Sequence, residues 1–303
     1  MPERTQGLDP ISLVEAGIEA QLGLLDFDQQ QELGNRLANR FGWKMAGDLA
    51  VAETAITVFD RDDYDLTVTA LSDLGVKGTK RRPVPEFEEV QAKISPALAV
   101  YLQNHVRNGG KPELTMHVPL GLNGFDLKKL IANFDKKQEY STYIWEDLWD
   151  QYGEGQHNSP RTLLDAAMLL NDTTDPENRA QPANSYDEAG LVHVSKTVPE
   201  QRASLDQEKQ EAVKSGVELN PISISQYIVT QAKRRQAGLP LLDKPTYTRF
   251  VQYPEQVLDG SSCVPNAVVD DDDRLYLNGA NVGSAWARDG VRHVVRVAEP
   301  LPL

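Results

Sequence analysis

A single cysteine, Cys263, stands among 303 residues. No disulfide can therefore form within the chain, no cluster of thiolates can hold a metal, and a reducing compartment suits it. Long apolar runs are also missing. Nothing approaches the roughly 20 residues needed to span a bilayer, so no membrane insertion is expected. The opening "MPERTQGLDP" lacks the apolar core of a signal peptide, which predicts a protein that is cytoplasmic in its producer, or exported without a recognisable signal peptide. Basic charge is short as well: 31 Lys and Arg face 45 Asp and Glu, a net charge of −14. That balance keeps a protein soluble and opposes contact with nucleic acid phosphates or anionic lipid, so no nucleic acid partner is expected. The one dense basic run of the first half, "KGTKRRPVP" (Lys77 to Pro85), has no aromatic or further basic partners beside it and reads as a solvated linker.

Catalytic signatures are absent too. The chain has no "GxSxG" and no phosphate-cradling "GxxxxGK" or "GxGxxG", and Cys263 lies in an apolar context that suits an inert thiol. Its five histidines, His105, His117, His157, His193 and His293, are scattered without metal-ligand spacing. No catalytic residue, cofactor or metal ligand is therefore assigned. "DDDD" (Asp270 to Asp273) admits two readings, a calcium-attracting cluster or an exposed turn, and it lacks the glycine and glutamate of an EF-hand loop.

What is present points to an α+β protein. Asp9 and Pro10 open a helix carrying Leu13, Val14, Ile18 and Leu22, and a second follows with Leu33, Leu37 and Phe41. "AITVF" (Ala55 to Phe59) and "DLTVTAL" (Asp65 to Leu71) alternate in the manner of a hairpin. A helix from Glu86 towards His105 is expected to kink at Pro96. "ELTMHV" reads as a strand, "FDLKKLIANF" as an amphipathic helix, "YIWEDLWDQY" as an aromatic packing stripe and "RTLLDAAMLL" as a short helix. The polar stretch Asn171 to Asp187 is either an exposed loop or a linker. "GLVHV" is a strand, and "PEQRASLDQEKQEAVKSG" a helix so polar all round that it should lie on the surface. Asn220 and Pro221 cap "ISISQYIVTQAKRRQAGLP", where Lys233, Arg234 and Arg235 suit the negative end of the helix dipole and Gly238 stops the helix. This divides the chain into a mostly helical region with a β-hairpin, 1–110, and an α+β domain, 111–303.

From Tyr247 onward the helical period disappears. "TYTRFV", "CVPNAVV", "RLYLNG" and "VRHVVRV" read as short strands joined by "DGSS", "DDDD" and "NVGSAWARDG". Leu275, Leu277, Val291, Val294, Val295 and Val297 supply an apolar scaffold. Tyr276, Asn278, Asn281, Ser284, Trp286 and Arg288 can point outward, and these residue types make adaptable contacts at low entropic cost. The alternative is a buried Trp286 with Asn-Gly pairs that merely make turns.

Three segments in order, "GLVHVSKTVPEQRASLDQEKQEAVKSG", "LNPISISQYIVTQAKRRQAGLPLLDKPTYTRFVQYPEQ" and "DGSSCVPNAVVDDDDRLYLNGANVGSAWARDGVRHVVRVA", resemble uncharacterised proteins of candidate-phylum bacteria such as Saccharibacteria. Their tail is similar to the C-type lectin-like variable proteins of diversity-generating retroelements. The resemblance covers about residues 190–298 and departs from that pattern where the chain continues as "HVVRVAEPLPL". It implies a C-terminal lectin-like domain of short antiparallel strands, with fixed final strands and a solvent-exposed binding face before them. The expected function is non-enzymatic binding of a protein or other macromolecular ligand through Tyr276, Asn278, Asn281, Ser284, Trp286 and Arg288. Competing expectations are a structural protein of a phage or mobile element, and an enzyme using carboxylates of "DRDD" or "DDDD" with a histidine.

Overall fold

The computed structural model describes residues 59–78, 83–107, 110–119, 127–136, 142–144, 164–172, 190–244, 246–253, 255–258 and 260–297. All belong to one compact unit, Thr54–Leu303. The two helices and the "AITVF" strand expected before Phe59 lie outside the described residues, as does the whole Trp145 to Tyr152 stripe.

Helices come first along the chain. Helix α1 spans Arg61–Asp73, α2 Phe87–Ala92 and α3 Pro96–Arg107. The segment expected to be the second strand of a hairpin is thus helical. Asp60 caps α1 by accepting from the Asp63 N–H at 2.7 Å, and Asp62 and Asp63 place negative charge in its first turn. "DLTVTAL" alternates, but Tyr64, Thr67 and Leu71 also fall on one helical stripe, and all three are buried. The cap and the tertiary contacts select the second pattern over the first. Pro96 does not kink a long helix; it is the first residue of a new one, where its missing N–H is not needed.

Strand β1 (Gly110–His117), helix α4 (Leu127–Asp135), β2 (Tyr143–Ile144) and β3 (Asp165–Asp172) follow. The "DAAMLL" run, expected to be helical, is β3. It is an apolar run buried on both sides, which periodicity alone cannot assign, and strand pairing decides it. β3 pairs antiparallel with all of β1, from Gly110 opposite Asp172 to His117 opposite Asp165.

Next come β4 (Leu191–Val192), α5 (Val198–Lys214), β5 (Leu219–Pro221) and α6 (Ile224–Gln236). The last strands are β6 (Tyr247–Arg249), β7 (Gln256–Leu258), β8 (Ser261–Val269), β9 (Leu275–Asn281) and β10 (Asp289–Arg296). The sheet runs β1-β3-β10-β6-β8-β9-β2, with β4 and β5 also on β10 and β7 on β8. The fold is α+β, and its sheet is mixed rather than purely antiparallel, because β10 runs parallel to β6 and β2 parallel to β9. No helix among the described residues is long and apolar enough to cross a membrane.

Two hydrophobic clusters hold these elements. The larger runs from Phe59 to Val297 and includes α1, β1, β3 and α6; the smaller contains Val198, Leu205, Val251, Val264, Ala280 and Val291. Helix α5 is therefore not a bare surface helix. Val198, Gln201, Leu205 and Ala212 form a narrow buried stripe along it, which mean polarity conceals because so few residues carry it.

Buried charge ties the layers together. Lys233 and Arg234 of α6, expected only to complement a helix dipole, are 2 and 3 % exposed. Lys233 Nζ lies 2.6 Å from Asp63 Oδ1, and Arg234 Nη1 lies 2.6 Å from Glu113 Oε2, so α6 is fastened to α1 and β1. At the other side Asp243, with φ 62°, accepts from Thr246 Oγ1 (3.0 Å), Thr248 Oγ1 (2.6 Å) and Arg292 Nη2 (2.6 Å). Removing only its charge strands the Arg292 guanidinium in the interior, a situation that typically costs about 3–5 kcal/mol. We expect Asp243→Asn to lower unfolding stability by that amount in urea denaturation; a loss below about 1 kcal/mol would show that the pair is dispensable.

Candidate ligand-binding site

The site grows from the β8–β9 hairpin. Its register places Asn266 opposite Asn278, Val268 opposite Tyr276 and Cys263 opposite Asn281. Leu275 and Leu277 turn inward at 0 % exposure, and Tyr276 and Asn278, which alternate with them, are half-buried. Val291, Val294, Val295 and Val297 are buried, as a scaffold requires. The "DDDD" segment is the hairpin turn. Asp270 Oδ1 accepts from the N–H groups of Asp272 and Arg274, and the outer carboxylates pair with Lys244 and Arg274. Asp60 and Asp63 of "DRDD" are likewise engaged, in capping α1 and in pairing Lys233.

Beyond β9 the chain crosses from Asn281 to Arg288 in a loop whose backbone is fastened on several sides. Asn281 Oδ1 accepts from the Gly283 N–H, the Val198 N–H donates to the Val282 carbonyl, and the Ser195 N–H donates to the Trp286 carbonyl. Arg249 of β6, fully buried, lies behind the loop. Its Nη1 donates to the carbonyls of Lys196 and Ser284, each at 3.0 Å, and its Nη2 donates to Ser284 Oγ at 2.6 Å and to Asp289 Oδ2. Burial pushes the Asp289 carboxyl above the ordinary aspartate range despite the guanidinium beside it.

With its backbone held, the loop presents side chains. Trp286 is 64 % exposed, which decides against a buried tryptophan. A concavity of about 440 Å³ opens beside it, lined among others by Tyr247, Asn266, Asn278, Asn281, Ser284 and Trp286. Four of the six residues expected to bind ligand thus meet around one pocket. Tyr276 and Arg288 are not among its lining residues; Tyr276 packs its ring 5.6 Å from that of Tyr143, and Arg288 is exposed on the loop. Ser284 faces two ways, since its hydroxyl bonds Arg249 and the Asn281 carbonyl.

Sequence reasoning missed two lining residues of consequence. Asn266 Oδ1 and Asp289 Oδ1 are buried without a hydrogen-bond partner, in residues only 5 and 2 % exposed, and both residues line the pocket. Such acceptors are costly unless a donor meets them. Asn266 lies within an apolar strand, and Asp289 opens β10 where the sequence pattern read a Gly-bearing turn, so neither stood out as a contact residue. Val257, 70 % exposed, pairs with Ser262 between the lining residues Ser261 and Cys263 and adds apolar surface nearby. Cys263 is buried and forms no disulfide.

A second group also escaped the sequence. His193, Glu208 and His293, read as unrelated, have ligand-capable atoms within 4.8 Å of one another. His193 follows β4, Glu208 sits on α5 and His293 on β10. Burial pushes the His293 imidazole down to about 4, opposed by Glu208, so it is neutral near pH 7.

Comparison of the chain with protein-family models, curated proteins and solved structures returned no match.

Because Trp286 is exposed and Arg249 is buried beneath the loop, the two should behave oppositely. We expect Trp286→Ala to change stability by less than about 0.5 kcal/mol, and Arg249→Gln, which strands Asp289, to cost about 3–5 kcal/mol in the same urea titrations. A loss above about 2 kcal/mol for Trp286→Ala would return the tryptophan to a packing role.

Proposed function

We propose that the chain is a non-enzymatic binding protein. In this reading about residues 190–298 form a C-type lectin-like domain akin to the variable proteins of diversity-generating retroelements, and the domain recognises a protein or other macromolecule through its terminal face. The observation that carries the reading is the pocket itself. An exposed tryptophan and three half-buried or exposed polar side chains, Asn278, Asn281 and Ser284, surround two buried oxygens that lack donors. Large aromatic area beside adaptable amides is the chemistry of a recognition surface. A loop held by a buried guanidinium keeps that surface in one geometry before contact, which lowers the entropic cost of binding. The two orphan acceptors favour a ligand that brings hydroxyl, amine or guanidinium donors to the pocket floor.

Screening the full chain against arrays of glycans and extracellular proteins tests the binding role. A bound partner should lose at least about tenfold affinity on Trp286→Ala and weaken on Asn278→Ala. Val213→Ala, on the exposed side of α5, should leave it unchanged. A partner indifferent to both loop variants would place recognition elsewhere.

The retroelement link has its own test in the native genome. A near-copy of the segment encoding Ser262 to Val295, beside a reverse transcriptase, should differ mainly at adenines. The differences should fall in codons for Tyr276, Asn278, Asn281, Trp286 and Arg288 and spare those for Leu275, Leu277, Val291 and Val295. Absence of any such copy would remove the link while leaving the binding face to the array experiment.

A further inference from the structure

The second cluster lies apart from the pocket along α5. The buried stripe of that helix begins near the loop, where Gln201 Nε2 donates to the carbonyls of Asp289 and His193. Leu205 packs in the smaller hydrophobic cluster with Val291. Two turns beyond Gln201, Glu208 meets His293, which shares a face of β10 with Asp289 and Val291 because side chains alternate along a strand. His193 completes the group from the turn after β4, where a φ of 56° reverses the chain. A non-glycine residue holds that conformation at some cost, and it persists where the surroundings determine it.

Glu208 Oε2 lies 2.9 Å from His193 Nε2 and 3.2 Å from His293 Nε2, and the two imidazole rings are 5.5 Å apart. In a tetrahedral zinc site, with ligand bonds of about 2.0–2.2 Å, neighbouring ligand atoms are separated by roughly 3.3–3.5 Å. The two sides that meet at Glu208 are within about half an ångström of that size, and the third, between the imidazole nitrogens, is no longer than 4.8 Å. A second feature points the same way. His293 Nε2 is buried and makes no hydrogen bond, although the carboxylate oxygen is 3.2 Å distant. A buried imidazole nitrogen without a partner is costly, and a bound cation would relieve that cost.

We propose that His193, Glu208 and His293 bind a divalent transition-metal ion, zinc in the first instance. Two imidazoles and one carboxylate are a zinc-type donor set, whereas calcium and magnesium demand more oxygens. Lys196 and Lys209 act electrostatically on this group, Lys196 on Glu208 and Lys209 on His293. That positive charge works against any dication, so the preference for zinc over calcium or magnesium rests on the two imidazole nitrogens. The Glu208 side chain is 43 % exposed, so three protein ligands leave a fourth position on the solvent side for water or an external group. The ion would tie the turn after β4 and α5 to β10.

Metal-stripped full-length protein titrated with zinc chloride tests the assignment by calorimetry and thermal melting. One zinc per chain should bind, with Tm rising by about 5 °C once zinc exceeds its Kd ~100-fold. EDTA should reverse the rise, and magnesium and calcium should not reproduce it. His193→Ala and Glu208→Gln should each abolish the shift, while Glu211→Gln, one turn further along α5, should retain it. Because His293→Ala opens a buried position, cobalt(II) on the unaltered protein gives the independent measure: visible absorption bands of tetrahedral coordination. Failure of the unaltered protein to bind zinc saturably, or zinc binding that survives in the His193→Ala, Glu208→Gln double variant, overturns the proposal.

Discussion

Two buried arginines on neighbouring strands, each neutralised from the other strand's segment, constrain the centre of the sheet. Arg292 of β10 reaches Asp243, just before β6, and Arg249 of β6 reaches Asp289 at the start of β10. All four side chains are at most 3 % exposed. β6 and β10 run parallel, and only two pairs define their register, Asp289 with Tyr247 and Gly290 with Thr248. So short a ladder specifies register weakly by hydrogen bonding alone. The reciprocal ion pairs supply what it lacks, since a slip would leave charges unmatched in the interior. Their worth lies less in net stabilisation, which desolvation largely offsets, than in excluding other pairings.

With β10 fixed, the remaining elements have little freedom. β3, β4 and β5 all pair with it in addition to β6, and β4 approaches so closely that a methyl group at Gly290 would lie 2.7 Å from the Val192 carbonyl oxygen. That glycine is a requirement of space. His193, in the turn that follows β4, lies beside His293, and α5 meets β10 through Gln201 at Asp289 and, two turns on, through Glu208 at His293. The terminal loop and the histidine cluster thus both pack against β10 and α5.

Much of the C-terminal half was legible because its signals are local. Strand and turn residues alternate plainly from Tyr247 to Val297, and Leu275, Leu277 and the valines of β10 declare a buried face. α6 was found by its period, although its cap is Ser223 rather than Asn220 or Pro221. What was illegible depends on partners distant in sequence. "DLTVTAL" satisfies both strand and helix patterns until Asp60 caps it and the core takes Tyr64 and Leu71. "AAMLL" carries no period at all, and only β1 and β10 on either side make it a strand. Lys233 and Arg234 read as surface cations because their acceptors, Asp63 and Glu113, lie over a hundred residues earlier. His193, Glu208 and His293 have no motif spacing because three separate elements bring them together.

The arrangement separates the exposed side chains of the loop from the contacts that hold its backbone, and it does so unevenly. Backbone groups at Val282, Trp286 and Arg288 are bonded to Val198, Ser195 and Tyr247, so the loop path does not depend on what side chains those positions carry. The backbone contacts at Trp286 do not depend on its exposed side chain, and Asn278 is set on a strand whose inward neighbours, Leu275 and Leu277, are buried. Ser284 is different, because its hydroxyl is an acceptor for Arg249. Replacing it by an apolar residue removes one of the contacts that satisfy a buried guanidinium, and that loss is felt at Asp289 and hence at β10. A surface built to vary would spare Ser284 while changing its neighbours. The structure draws that line through the middle of "NVGSAWARDG", where sequence pattern alone treated the polar residues as equivalent.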